Sequence, residues 1–271
     1  LAETLFETND SAIQFSSLGS GSKGNGTLVV FGATIILVDC GFSIKESIRR
    51  LAIKRIKPEQ LTAILVTHEH SDHISGVAGL ANKFSIPVWI NVGTSLHKKA
   101  VPIRNSNLFN SHHPFEIGAM TITPVPVPHD SREATQFLFS ACDIKLGILT
   151  DVGHITQHII DAYAGCAALL LEFNYDYEML INGKYPYSLK QRVAGNLGHL
   201  SNDQAIRFLQ MFDSSKLEML TVMHRSEENN SEEIIREKLE SLIEINSVGY
   251  FFAEQGDGFG WRKIERNRLD G

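Results

Sequence analysis

The chain has 271 residues, 43% hydrophobic and 21% charged, with 25 Lys and Arg against 31 Asp and Glu, a net charge of −6 and a pI near 6.0. A chain of this size buries roughly 70–75% of its unfolded surface and needs neither disulfides nor an obligate partner to fold. Composition excludes extended disorder and filaments, no run nears the ~18 apolar residues of a membrane span, and the acidity argues against a dedicated basic nucleic-acid binder.

Three scattered cysteines (Cys40, Cys142 and Cys166) form no CxxC pair and suit a reducing cytosol. The opening LAETLFETND lacks the basic and apolar regions of a signal peptide. A cytoplasmic protein is expected, with no membrane contact and no stable protein partner.

Short β-branched runs alternate with helical patterns, and no linker or repeat divides residues 1–271, which read as one domain. Residues 13–18, 27–31 and 34–38 are strands by pattern, the last two joined at Gly32-Ala33 with hairpin spacing. An amphipathic helix over 43–55, a buried strand at 63–66, a helix over 74–84 and a strand at 88–90 follow. The second half places strands at 120–127, 136–141 and 145–149, a helix over 155–163 and an apolar strand at 167–171. Ser201-Asn-Asp-Gln204 is a capping box for a helix to about Phe212. A strand at 217–223, a helix capped by Ser231 to about Ile243, and a last strand at 249–253 complete the chain. Meander strands followed by αβ alternation, once in each half, predict an α+β fold: a four-layer αββα sandwich.

The densest chemical signal is the segment ILVTHEHSDHI over 64–74, an apolar strand running into His68, His70, Asp72 and His73. Alternate side chains of extended backbone point the same way, so His68 and His70 can grip one ion. Asp72 and His73 stand at the turn into a helix, placed to reach a second ion. Imidazole and carboxylate are the ligands of Zn²⁺, Mn²⁺ and Fe²⁺. Further ligands must come from elsewhere, and His129, Asp151 and His224 each follow an apolar strand. Singly each could be a loop residue or helix cap; the repeated strand-then-ligand pattern is not explained by packing.

His68 to His73 resembles the H-x-H-x-D-H hallmark of the metallo-β-lactamase-fold hydrolases. Asp39 in Ile-Leu-Val-Asp-Cys-Gly is similar to the superfamily's first-motif aspartate, which supports the metal loop, and His129, Asp151 and His224 match its later motifs. The resemblance implies that His68, His70 and His129 hold one metal, that Asp72, His73 and His224 hold the other, and that Asp151 bridges them. Four segments, FSSLGSGSKGN (15–25), YPYSLKQR (185–192), NLGHLSN (196–202) and MHRSEENN (223–230), look like the YycJ (WalJ) branch, whose members are regarded as DNA-directed exonucleases or phosphodiesterases. Arg225 departs from that branch, where a Leu is expected, and adds positive charge near the cleft.

Two divalent ions ~3.5–4 Å apart generate hydroxide at neutral pH and clamp both oxygens of an in-line displacement. The expected activity is therefore a dinuclear metal-dependent hydrolase, a phosphodiesterase or exonuclease on DNA ends acting through a metal-bridging hydroxide held by Asp151. Hydrolysis of a small cyclic phosphodiester, thioester or lactone is the alternative. Zinc is the first choice of metal, with manganese or iron also compatible. DNA or another phosphodiester is the expected partner.

His199 resembles the catalytic His of the related tRNase Z group, and Glu172, ending an apolar strand, is placed to orient it. A catalytic assignment thus covers His199, Asp72 and Glu172; alternatively His199 simply precedes the helix capped by Ser201. The Gly-rich loop 20–26 is either an anion nest, with Ser22 and Asn25 reaching a substrate phosphate, or a hairpin turn needing glycine. Lys45, Arg49, Arg50, Lys54, Arg55 and Lys57 crowd one stretch with a single acid, Glu46, as a basic helix tracking phosphates or a solvated face. Lys184, Lys190 and Arg192 form a smaller basic cluster.

Overall fold

Successive side chains of a strand face opposite ways, and strands apolar on both faces must be covered on both. In the computed structural model, which describes residues 10–242 and 248–265, this rule generates two seven-stranded sheets. The segment 1–9 and the expected helix end at Ile243 lie outside the described residues.

The first sheet contains β1 (Ala12–Gly19), β2 (Gly26–Phe31), β3 (Thr34–Val38), β4 (Ala63–Leu65), β5 (Val88–Asn91) and β6 (Ser106–Phe109) side by side. The first three are antiparallel and the rest parallel. The second contains β7 (Phe115–Ile117), β8 (Met120–Pro126), β9 (Thr135–Ala141), β10 (Ile144–Leu149), β11 (Ala168–Glu172), β12 (Met219–Met223) and β13 (Gly249–Phe252), antiparallel up to β10 and parallel beyond. A further strand, β14 (Phe259–Glu265), returns antiparallel to β1 and closes the first sheet. The strand at 249–253 is therefore not the last. Arg262, Lys263 and Glu265 interrupt the apolar alternation of β14, as befits an edge strand.

In β2, Val29 and Phe31 belong to an apolar cluster shared with Phe137, Phe139, Ile148 and Leu170 of the second sheet, while Leu28 and Val30 face the opposite way. That opposite face is covered by α1 (Ile44–Ile53) and α3 (Val77–Phe84), through Leu51, Val77 and Leu80. The outer face of the second sheet is covered by α5 (Gln157–Tyr163), α8 (Asn202–Met211) and α9 (Glu232–Glu240), through Ile159, Tyr163, Phe208, Ile235 and Leu239. Four layers, αββα, result, as the pattern of elements predicts. Each fully buried large side chain, Phe137 and Phe139 among them, contributes about 1.5–3 kcal/mol.

The helix expected over 74–84 is interrupted. α2 (Ser71–Ile74) stops, Ser75 and Gly76 intervene, and α3 begins anew. A Cβ on Gly76 would lie 2.0 Å from the Phe42 carbonyl, and one on Gly41 would lie 1.8 Å from that of Asp72. The loop after β3 and the turn after β4 thus pass flush against one another, and only glycine permits it. Three short helices are unheralded by periodicity, α4 (Val92–Ser95) after β5 and α6 (Tyr177–Asn182) and α7 (Tyr187–Val193) after β11, and α7 buries none of its residues.

Candidate metal centre

The first sheet delivers a compact motif. Beyond β4, Thr67, His68 and His70 lead into α2, which carries Asp72 and His73. Asp39, one residue past β3, accepts hydrogen bonds from the Thr67 amide at 2.9 Å and hydroxyl at 2.8 Å, and from His73 Nδ1 at 2.8 Å. With its proton given to Asp39, the Thr67 oxygen accepts from His68 Nδ1 at 2.9 Å. Both imidazoles therefore carry hydrogen on Nδ1 and turn the Nε2 lone pair to the centre. His70 is reversed: Nε2 donates to the Asp130 carbonyl at 3.2 Å, leaving Nδ1, which lies 3.3 Å from His129 Nε2.

The second sheet supplies single residues from successive strand ends. His129 follows β8 and donates Nδ1–H to the Gly198 carbonyl at 3.0 Å. Asp151 and His224 follow β10 and β12, and Glu172 ends β11. Asp39, Asp151 and His224 have φ of +60°, +54° and +51°, the left-handed conformation that Asp, Asn and His tolerate better than most residues. His224 is held there by its amide on Ser20 Oγ at 2.8 Å and its carbonyl on Asn174 Nδ2 at 2.8 Å.

Glu172 is fully buried. Its Oε1 accepts from His199 Nδ1 at 2.8 Å and His224 Nδ1 at 3.1 Å, and its Oε2 from the Val152 and Leu200 amides at 3.1 and 3.2 Å. Both oxygens are saturated by N–H donors, so this carboxylate orients imidazoles and is a poor direct ligand.

The remaining donor atoms converge. Atoms of His68, His70 and His129 lie within 4.8 Å of one another, as do those of Asp72, His73 and His224, and those of His68, His73 and Asp151. His68 Nε2, Asp151 Oδ2 and His224 Nε2 are buried without a hydrogen-bond partner. Each such atom costs about 1–3 kcal/mol, an expense that bound cations relieve. Imidazoles with fixed lone pairs beside carboxylates suit divalent transition-metal ions.

The electrostatics agree. Burial alone would push His224 down, but Asp151, Glu172 and Asp72 carry it up to about 9. His73 is likewise buried, yet Asp151, Asp39 and Asp72 raise it well above the ordinary histidine value. Burial opposes ionisation of Asp72 and Asp151 too, and neighbouring histidines hold both below the usual carboxylate range. His68 and His129, where burial dominates, are pushed down. A field that draws protons onto buried imidazoles draws metal cations in their place.

The centre floors a cleft of about 540 Å³, walled by Ser22 and Lys23 on one side, Tyr185, Leu189 and Arg192 on another, and His199 and Arg225 beyond. Ser22 is exposed to the cleft. Asn25 is buried, with Nδ2 3.1 Å from Asp72 Oδ2 and 3.0 Å from His73 Nε2, and Oδ1 accepting from the Gly21 amide at 2.8 Å. It ties the Gly-rich loop to the motif and is not part of the cleft lining.

None of the 45–57 cations lines the cleft. Arg49 and Arg50 pair with Glu46, Arg50 also reaches the Leu18 and Gly256 carbonyls, and Lys54 donates to the Phe259 carbonyl at 2.7 Å. Arg50 and Lys54 thus fasten α1 to the first sheet. Of the smaller basic cluster, Arg192 does reach the cleft, in a two-pronged contact with Asp130 at 2.6 and 3.2 Å. Sequence reasoning passed over Thr67, Ser20, Asn174 and Asp130. Thr67 and Asp130 adjoin predicted ligands, the one signal available for them.

A four-layer αββα sandwich with imidazole and carboxylate donors at its strand ends defines a class of metal-dependent hydrolase. Residues 34–224 match the model of the beta-lactamase superfamily domain, and the chain belongs to that superfamily. It is 30% identical over 241 residues to "Exodeoxyribonuclease YycJ" of Bacillus anthracis, covering 88% of this chain and 91% of that protein. It is 33% identical over 227 residues to "Exodeoxyribonuclease WalJ" of Streptococcus pneumoniae, covering 82% and 84%. The crystal structure of the metallo-beta-lactamase fold protein YhfI from Bacillus subtilis superposes with a TM-score of 0.70 at 17% identity, covering 93% of this chain and 100% of that one.

Proposed function

We propose that this chain is a dinuclear metal-dependent phosphodiesterase acting as an exonuclease on DNA ends. The observation that carries the reading is the pair of three-residue donor groups, with Asp151 3.4 Å from His73, 3.5 Å from His224 and 4.0 Å from His129, at the floor of a cleft that His199 also lines. The exodeoxyribonuclease names of relatives aligned over most of both chains favour DNA as the substrate.

In this reading His68, His70 and His129 hold one ion, Asp72, His73 and His224 the other, and Asp151 both. Zinc is the preferred metal for the donor set. Such ions supply Lewis-acid polarisation of the phosphoryl oxygens and an activated water. The chain does the rest. Ser22 receives the phosphate from the cleft wall, since the Gly21, Gly24 and Asn25 amides of its loop already donate to Asn25 Oδ1, the Gly21 carbonyl and the Asp72 carbonyl. His199, its Nδ1 held by Glu172, presents Nε2 to the leaving oxygen as proton donor. Asn25 fixes Asp72. No helix among the described residues is long and apolar enough to cross a membrane, and we assign the enzyme to the cytoplasm.

The test incubates protein of defined metal content with 5′- and 3′-labelled single- and double-stranded DNA and RNA, beside a chromogenic phosphodiester. Stepwise shortening of DNA is expected. Hydrolysis of the small ester alone would instead support the small-substrate reading.

A further inference from the structure

Three Lys or Arg side chains among the described residues line the cleft, and they are not equivalent. Arg192 is locked on Asp130 by two nitrogens, and Lys23 Nζ lies 2.7 Å from Glu227. Arg225 makes one long contact, 3.4 Å from Nη2 to Glu232 Oε1, and its Nε–H is buried with no acceptor. Its side chain is only 20% exposed. A mostly desolvated guanidinium with an unsatisfied donor is costly, and an anion with more than one oxygen to offer would supply the acceptor it lacks. Position points the same way: Arg225, next in sequence to His224, lines the cleft together with Asn174 and Ser226. The planar fork of Arg matches two phosphate oxygens.

We infer that Arg225 binds a phosphate of the nucleic-acid strand next to the scissile one. The inference rests on the phosphodiesterase reading and narrows it to substrates with consecutive phosphates, an oligonucleotide in preference to a lone diester. Glu232 is the group displaced when the strand arrives, since its 3.4 Å contact is weaker than the paired bonds that fix Arg192. The surrounding Glu227 and Glu228 make this a single-phosphate subsite and not a diffuse basic patch.

The test is steady-state kinetics of the metal-loaded enzyme on a single-stranded oligodeoxynucleotide and on a thymidine dinucleotide with one phosphate. Arg225→Leu is expected to raise KM for the oligomer about tenfold more than KM for the dinucleotide. Arg225→Lys should fall between, and the slope of log KM on log salt should shrink by about 0.7, one single-strand phosphate contact. If the dinucleotide is refused outright, the salt slope on the oligomer decides alone. Equal changes on both substrates, or an unaltered slope, overturn the inference and leave the phosphodiesterase reading standing. Wild-type protein inert on every phosphodiester overturns the reading itself. Arg225→Gln, compared by thermal melting, replaces the Leu variant if the latter does not fold.

Discussion

The two sheets build their halves of the centre by opposite means. The first concentrates its donors between His68 and His73 and braces them with one neighbour, Asp39, through Thr67 and His73. The second scatters its donors over strand ends far apart in sequence and gathers them through strand register. Leu149 pairs with Leu171, and Leu171 with Val222, which aligns Asp151, Glu172 and His224 along one edge. A slip of one residue would turn those side chains to the other face. One half is a local motif with a clamp; the other exists only when three parallel strands are in step.

That contrast can be broken most sharply at Asp151, the second-sheet residue we propose as the ligand shared by the two ions. Asp151→Ala should lower kcat/KM for a phosphodiester by about 10³-fold or more, with circular dichroism unchanged; appreciable activity would dismiss a shared ligand. Next come the two orienting carboxylates. Asp39→Asn, which keeps a residue tolerant of positive φ, should weaken metal affinity about 10–100-fold in competition with a chromogenic chelator. Glu172→Gln should instead reduce kcat by about 10²-fold, because it disturbs His199 as well as His224. Identical profiles for the two variants would erase the distinction between the halves.

A smaller effect falls on stability. Gly41→Ala forces a Cβ onto the Asp72 carbonyl and should cost about 1–3 kcal/mol, seen as a lower Tm. Smallest is a difference in thiol reactivity. Burial pushes Cys40 up to about 11 and Cys166 up to about 12, whereas Cys142 is exposed. Ellman's reagent should therefore titrate one thiol quickly in the native protein. After chelation Cys40 should accelerate more than Cys166, because its amide hydrogen-bonds to the His73 carbonyl.

The same contrast governs what was legible in the sequence. The motif over 68–73 announces itself because four donors share one short segment. His129, Asp151 and His224 were readable because each interrupts the end of an apolar strand. The layer order followed from strand and helix periodicity, since both faces of the central strands are apolar. What escaped lacks a periodic apolar face: β14 and β6 at a sheet edge, and α7, which buries nothing. The role of the 45–57 charges stayed open because a list of cations does not reveal that Arg50 and Lys54 are bonded to the backbone carbonyls of Leu18, Gly256 and Phe259. Ser20 and Asn174 were hidden for another reason: they act on the backbone of His224, a partner 204 and 50 residues away.

The left-handed backbone at Asp39, Asp151 and His224 also limits how such a centre can drift over generations of mutation. Replacing Asp151 by Glu keeps the charge but lengthens the arm and places a residue less suited to positive φ on that turn. A β-branched replacement fares worse still. Asn and Gly suit the conformation and bring no carboxylate. Chain conformation and metal chemistry therefore act as two independent sieves at the same codons, and few substitutions pass both. Change in this enzyme is more easily accommodated on the cleft walls, at positions such as Tyr185 and Leu189, where neither sieve applies.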